Sequence, residues 1–189
     1  MKIVVRSFLA LILFSFLLGI CYPLFILFIA QIGFPYQANG SLIVKNNIVI
    51  GSELIGQSFA SAKYFHSRPS AVDYNASGSG ASNYGPSSEK FIKQVAERIK
   101  KEQTVNKIFD KNLPADMVLA SASGLDPHIS LENAFIQAYR VARIRGVSYE
   151  MLKELIEQNT DNDFFGIWGR QGVNVLKLNL SLDNINKKN

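Results

Sequence analysis

Apolar positions in this chain follow two patterns. From Ser7 to Ala30 they are continuous: SFLALILFSFLLGICYPLFILFIA carries no charged residue. About 24 residues at 1.5 Å each give roughly 36 Å of helix, against a hydrocarbon core of about 30 Å. The run is long enough to span a bilayer with some tilt. It outlasts the apolar region of a cleaved signal peptide, about 7–15 residues, and Ile29-Ala30-Gln31 is a poor cleavage site. Ile20 is too bulky for lipoprotein cleavage before Cys21. The segment therefore reads as a retained transmembrane helix, with a local kink at Pro23.

Beyond Ala30 the apolar residues recur at intervals. Residues 31–40, with Gly33 and Pro35, read as an exit linker. Residues 41–50 place two β-branched runs around Asn46-Asn47, which predicts a hairpin. GSELIGQSF predicts turns at Gly51 and Gly56. Residues 64–86, rich in Gly, Ser, Asn and Pro, read as a long loop anchored by Tyr64, Phe65, Tyr74 and Tyr84. Ser87 or Ser88 then caps a helix to about Gln103, with Phe91, Ile92, Val95 and Ile99 on one stripe. Lys107 to Asp116 reads as a loop, and Met117 to Ala122 as a short strand. Ser130 caps a second helix, with Leu131, Ala134, Phe135, Ala138 and Ala142 inward and Gly146 at its end. Ser148 caps a third, with Met151, Leu152, Leu155 and Ile156 apolar. Val173 to Leu182 alternates and reads as a closing strand. The fold class expected is α+β: a single N-terminal transmembrane helix (7–30) after a short cytoplasmic N-terminus (1–6), then a compact extracytoplasmic domain (41–189).

Composition and charge add an orientation. The chain has 189 residues, 48% hydrophobic and 19% charged. That is room for one ordinary domain and an anchor. Of 20 basic residues, Lys2 and Arg6 precede the span, and no charge follows it until Lys45. The positive-inside rule then puts the N-terminus in the cytoplasm and the domain outside, periplasmic in a bacterium. Cys21, the only cysteine, lies in the span, so the domain has no intrachain disulfide. Basic residues beyond the span are dispersed against 15 acidic ones. They form no stripe interleaved with aromatics, so nucleic acid is not an expected partner.

The most unusual run is VLASASGLDPHIS, Val118 to Ser130. Asp126, His128 and nearby serines do not make a triad by proximity, and no GxSxG elbow is present. No catalytic residue is assigned. Two histidines and no cysteine beyond the span leave no metal-ligand spacing, so no metal is assigned. A strand, a small-residue loop with Gly124 and a helix N-terminus would suit an anion, but there is no GK[ST]. The simpler reading is a turn: Asp126 bonds back to the backbone, Pro127 fixes φ and Ser130 caps the helix. Gln137 and Arg140 share a helix face as a polar patch. Trp168, beside Phe164 and Phe165, reads as core, with an interface anchor as the alternative. Ser15 and Gly19 would either let another helix approach the span or simply face lipid. A membrane-tethered sensor with its own ligand pocket and a tethered hydrolase stay open as alternatives.

The N-terminal span, GSELIGQ, YFHSRPSA, GSGASNYGP, PADMVLASASGLDPHIS, QAYRVARIRG and VNVLKLNLSLD, in that order, resemble KdpC, the C subunit of the bacterial Kdp potassium-transporting ATPase. The resemblance implies an accessory subunit and no enzyme: a channel-like subunit carries potassium and a P-type ATPase subunit hydrolyses ATP. It implies a single-pass protein of the bacterial inner membrane, associated with the outer face of the channel-like subunit and needed for assembly and activity. The family is also described as a catalytic chaperone raising the ATP affinity of the pump subunit. That description maps onto Gln137 and Arg140; no other cofactor is implied. Ser121, Ser123, Gly124, Asp126, Pro127 and His128 match the family's signature loop and are expected to shape an interaction surface. Two departures stand out: Ala122 replaces a usual Gly, and the run Trp168 to Gly172 lacks the family's acidic, Pro and Arg positions.

Overall fold

The computed structural model describes residues 1–109, 112–162 and 169–185. These fall into two compact units, Met1–Ser52 and Glu53–Asn189.

The first unit opens with the apolar helix. It runs as α1 (Lys2–Phe16), a π-helical turn (Leu17–Cys21) and α2 (Tyr22–Gly33), with none of its apolar window buried. The π turn has a local cause. Pro23 lacks an N–H, and its ring would crowd the carbonyl four residues back. The backbone widens just before it, so that Tyr22 N–H bonds to Leu17 O. Within the expected linker, helix continues to Gly33, and α3 (Pro35–Ala38) adds one turn. The hairpin forms as expected: β1 (Leu42–Lys45) and β2 (Ile48–Ser52) join through Asn46 and Asn47 at φ 52 and 61. Gly51 lies inside β2 and makes no turn of its own. Cross-strand pairs sort the side chains by face. Val44 opposes Val49 and Leu42 opposes Ser52, while Lys45 opposes Ile48 on the other face. Ser52 Oγ donates to Gly40 O (2.7 Å) and Asn39 Nδ2 to Gln31 Oε1 (3.2 Å), which pins the hairpin base to the end of the helix.

The second unit is α+β. Its elements are α4 (Glu89–Asn106), α5 (Ala115–Val118), β3 (His128–Ile129), α6 (Leu131–Arg145), α7 (Tyr149–Gln158), β4 (Thr160–Asp161), β5 (Gly172–Asn174) and α8 (Val175–Ile185). The strands form one antiparallel sheet in the order β3-β5-β4. The main core joins Phe65, Ile129, Val141, Leu152, Val173 and Leu178; a smaller one joins Met117, Val118 and Ile136 with Val95 and Ile99 of α4. Of the expected stripes, Ile92 and Met151 turn out exposed. The α6 ends match expectation: Ser130 Oγ accepts from Asn133 N–H (3.2 Å), and Gly146 takes φ +67.

Two expected strands are partly helix: α5 takes Met117 and Val118 of the first, and α8 takes all but Val173 and Asn174 of the second. Met117 and Val118 are neighbours and both buried, which one turn of helix allows and a strand, with its opposite-facing neighbours, does not. The closing strand stops at Asn174, whose Oδ1 accepts from Lys177 N–H (3.1 Å) and so caps a helix. Val175, Leu178, Asn179 and Leu182 are then buried at helical spacing, and Leu180 is only half-buried. The alternating leucines were a by-product of a wide apolar face.

Candidate functional site

Residues 119–127 form an irregular loop that enters β3 and then α6. The strand-before-loop geometry that an anion cradle needs is absent, because α5 stands there instead. Several of the loop's N–H groups are used inside the protein. Ser121 N–H donates to Pro69 O (3.0 Å), Leu125 N–H to Ser123 Oγ (3.1 Å) and His128 N–H to Asp126 Oδ1 (3.0 Å). The start of α6 already holds an anion, the Asp116 carboxylate. It accepts from Ser130 N–H (2.7 Å), Ser130 Oγ (2.9 Å) and Asn133 Nδ2 (3.0 Å).

The signature residues bond or pack against neighbouring segments, Ser121 and Gly124 buried and Ser123 exposed. Ser121 is buried, and its Oγ lies 3.2 Å from Ser123 Oγ. Gly124 takes φ +69, and a Cβ there would come within 2.6 Å of Val72 Cγ2 and 2.8 Å of Gly80 O. Its role is close packing against residues 70–80. The left-handed position is Gly124, and Ala122 has no positive φ, so the Ala122 departure costs the backbone nothing. Asp126 pairs with Arg68 Nη1 (2.8 Å) through its other oxygen. Pro127 O accepts from Val175 N–H (3.0 Å). His128 Nε2 reaches Asp161 Oδ2 at 2.9 Å, from one edge strand to the other. It passes the central strand at Gly172, where a Cβ would lie 3.2 Å from the His128 Cβ. Trp168, Phe164 and Phe165 lie outside the described residues.

Gln137 and Arg140, the expected polar patch, are 3% and 1% exposed and form a buried network. Gln137 Oε1 accepts from His66 N–H (2.7 Å) and Arg140 Nη2 (2.8 Å), and its Nε2 donates to His66 O (3.1 Å) and Asn133 Oδ1 (2.8 Å). Arg140 Nε donates to Asn106 Oδ1 (2.9 Å), and Nη1 to Tyr64 O (2.9 Å) and Ala62 O. All its direct partners are neutral. Burial pulls the guanidinium pKa down to about 10. Glu102, itself raised by burial, supports the charge through Asn106 (2.9 Å). Asn133, Asn106 and Asp116 extend the network unannounced. Asn133, Gln137 and Arg140 do mark a polar stripe at i, i+4, i+7 on an apolar helix, but Asn106 and Asp116 arrive from distant segments.

The same cluster sets a pH response. His66 is lowered to about 4 by burial and then by the charge of Arg140. The unfolded chain takes up this proton near 6.5, and the folded one resists it until about 4. Unfolding therefore gains a proton between those values, and stability falls as pH drops through that window. Thermal melts are expected to be flat above it, with the acid loss reduced in His66→Gln; an unchanged acid slope in that variant would refute the assignment.

A cleft of about 920 Å³ opens beside the loop, lined in part by Arg68, Asp116, Asp126, His128, Glu132, Asp161 and Arg170. Among the described residues no group of three or more His, Cys, Asp or Glu is placed to hold a metal ion.

A family model described as the c chain of the K+-transporting ATPase, KdpC, matches residues 4–184. A "Potassium-transporting ATPase KdpC subunit" of Caldanaerobacter subterraneus subsp. tengcongensis is 47% identical over 173 residues, 89% of this chain and 88% of the relative. One of Polynucleobacter asymbioticus is 45% identical over 187 residues, 97% of this chain and 99% of the relative. One of Mycobacterium tuberculosis H37Rv is 46% identical over 178 residues, 93% and 94%.

Proposed function

The chain belongs to the KdpC family, the c chain of the potassium-transporting ATPase, and from that premise we propose that it is a non-catalytic subunit needed for assembly and activity of the import complex. A single span holds it in the membrane with the N-terminus in the cytoplasm, and the second unit lies on the outer side. There it docks on the channel-like potassium-binding subunit, while a P-type ATPase subunit hydrolyses ATP. The loop from Ser121 to His128 and the start of α6 shape the docking surface.

The observation that carries this reading is where the motif residues spend their bonds. Gln137 and Arg140, the positions of the family's nucleotide description, bind the backbone of residues 62–66. A nucleotide at this pair would first have to displace that segment. They therefore influence the pump through the shape of the domain they brace.

The test is co-purification through a C-terminal tag in mild detergent from potassium-starved cells. Recovery in fixed ratio with a P-type ATPase and a channel-like membrane protein is expected. Recovery of this chain alone, in detergent that preserves other complexes, would refute the proposal. Tight and specific ATP binding by the purified chain, lost in Gln137→Ala without loss of fold, would restore the nucleotide reading.

A further inference from the structure

The charges of the second unit are nearly balanced along the chain, but its helices sort them by sign. α7 carries Glu150, Glu154 and Glu157 against Lys153. The exposed side of α4 does the reverse. Lys93 and Lys100 are seven residues apart, about two turns, so they stand in one line. Lys90 lies one turn before the first, Lys101 beside the second, and Lys107 at the C-terminal end. Glu89 and Glu97 are the carboxylates on this exposed side. Among the described residues Lys93, Lys100 and Lys107 form no ion pair. Apolar side chains stand free near both ends of the line: Ile92 is 56% exposed, and Phe109, just past Lys107, 67%. Val95 and Ile99 stay in the smaller core, so α4 offers this side without leaving the domain.

We propose that the lysine side of α4 is a docking surface for anionic phospholipid headgroups, such as phosphatidylglycerol, on the bilayer that holds the chain's own span. This rests on the reading of the apolar helix as a membrane anchor and on no other part of the functional reading. Three arguments select lipid. Unpaired lysines beside exposed Ile and Phe are the pattern of a segment resting on a headgroup layer. Lysine is a point charge on a flexible stem, which suits headgroups that move; the planar arginine fork suits a fixed carboxylate. The one arginine of α4, Arg98, is spent on Val118 O (3.2 Å). A span in the same chain also keeps the lipid surface at high effective concentration, where each lysine is worth roughly fivefold in binding.

The experiment uses the purified full chain in nanodiscs of phosphatidylcholine, alone or mixed with phosphatidylglycerol. A polarity-sensitive dye is attached at Ala96→Cys, on the exposed side of α4, in a Cys21→Ser background. Its emission is expected to shift to the blue in the anionic discs only, and to return to the neutral-disc value at high salt. Lys93→Gln, Lys100→Gln and Lys107→Gln together should lower the docked-to-free ratio on the order of a hundredfold. The melting temperature should hold, since exposed Gln and Lys have similar helix propensity. Equal emission in the two kinds of disc, or a shift that survives either salt or the triple substitution, would overturn the proposal. A shift that appears only when co-purified subunits are added back would give this side to a protein and overturn it too. If the triple variant does not fold, the salt titration of the unsubstituted side decides. A chain that does not enter the discs at all would overturn the anchor reading itself, a distinct result.

Discussion

Replacing Arg140 with methionine is expected to destabilise the second unit by about 3–5 kcal/mol and to lower its melting temperature by on the order of 10 °C. Removing a buried charge can stabilise a protein when its partners are removed with it. Here they stay. Asn106 Oδ1, Ala62 O and Tyr64 O each lose their Arg140 donor inside the protein, while Gln137 Oε1 keeps only the His66 N–H. At about 1–3 kcal/mol for each stripped polar group, the loss outweighs the relief of desolvation. Arg140→Lys restores the charge without the planar fork that reaches four acceptors, so most of the loss should remain. Gln137→Ala in the Arg140→Met background should add less than it costs alone, because the two share partners. Thermal melts of the purified full chain and subunit recovery should fall together. Normal stability of Arg140→Met with a selective change in the ATP dependence of the pump would refute the bracing role.

Gly56→Ala is expected to cost about 3 kcal/mol, the upper part of the range for overpacking. The Gly56 N–H donates to Leu125 O (2.8 Å), holding this segment against the signature loop. A Cβ at this position would collide with the Asp126 carbonyl oxygen and lie 3.0 Å from its carbon. Both are backbone atoms, so no rotamer relieves the contact and the loop must move. The shift would pull Asp126 from Arg68 and disturb the docking surface. Limited proteolysis should show earlier cleavage in the 119–127 loop, and partner recovery should drop. A variant that melts and assembles like the unsubstituted chain would show that the loop tolerates displacement.

What the sequence determined by itself were features with local causes. An uncharged run of the right length makes the helix from Lys2 to Gly33 whatever surrounds it. Asn46-Asn47 between β-branched runs makes the hairpin. Ser130, Ser148 and Gly146 set helix ends through bonds and φ values within a few residues. The Asp126 turn onto His128 N–H belongs with them.

The tertiary structure decided the rest. Leu176 to Leu182 fits a strand and a helix alike, and a core wide enough to take positions 175, 178, 179 and 182 selects the helix. Gln137 and Arg140 read only as a polar patch, because nothing near them in sequence shows that backbone from residues 62–66 and Asn106 close over them. Asp116 fills the anion site at α6 from 14 residues away. Local bonding shapes a segment, but burial, and with it the fate of every polar group, depends on which distant segments come to cover it.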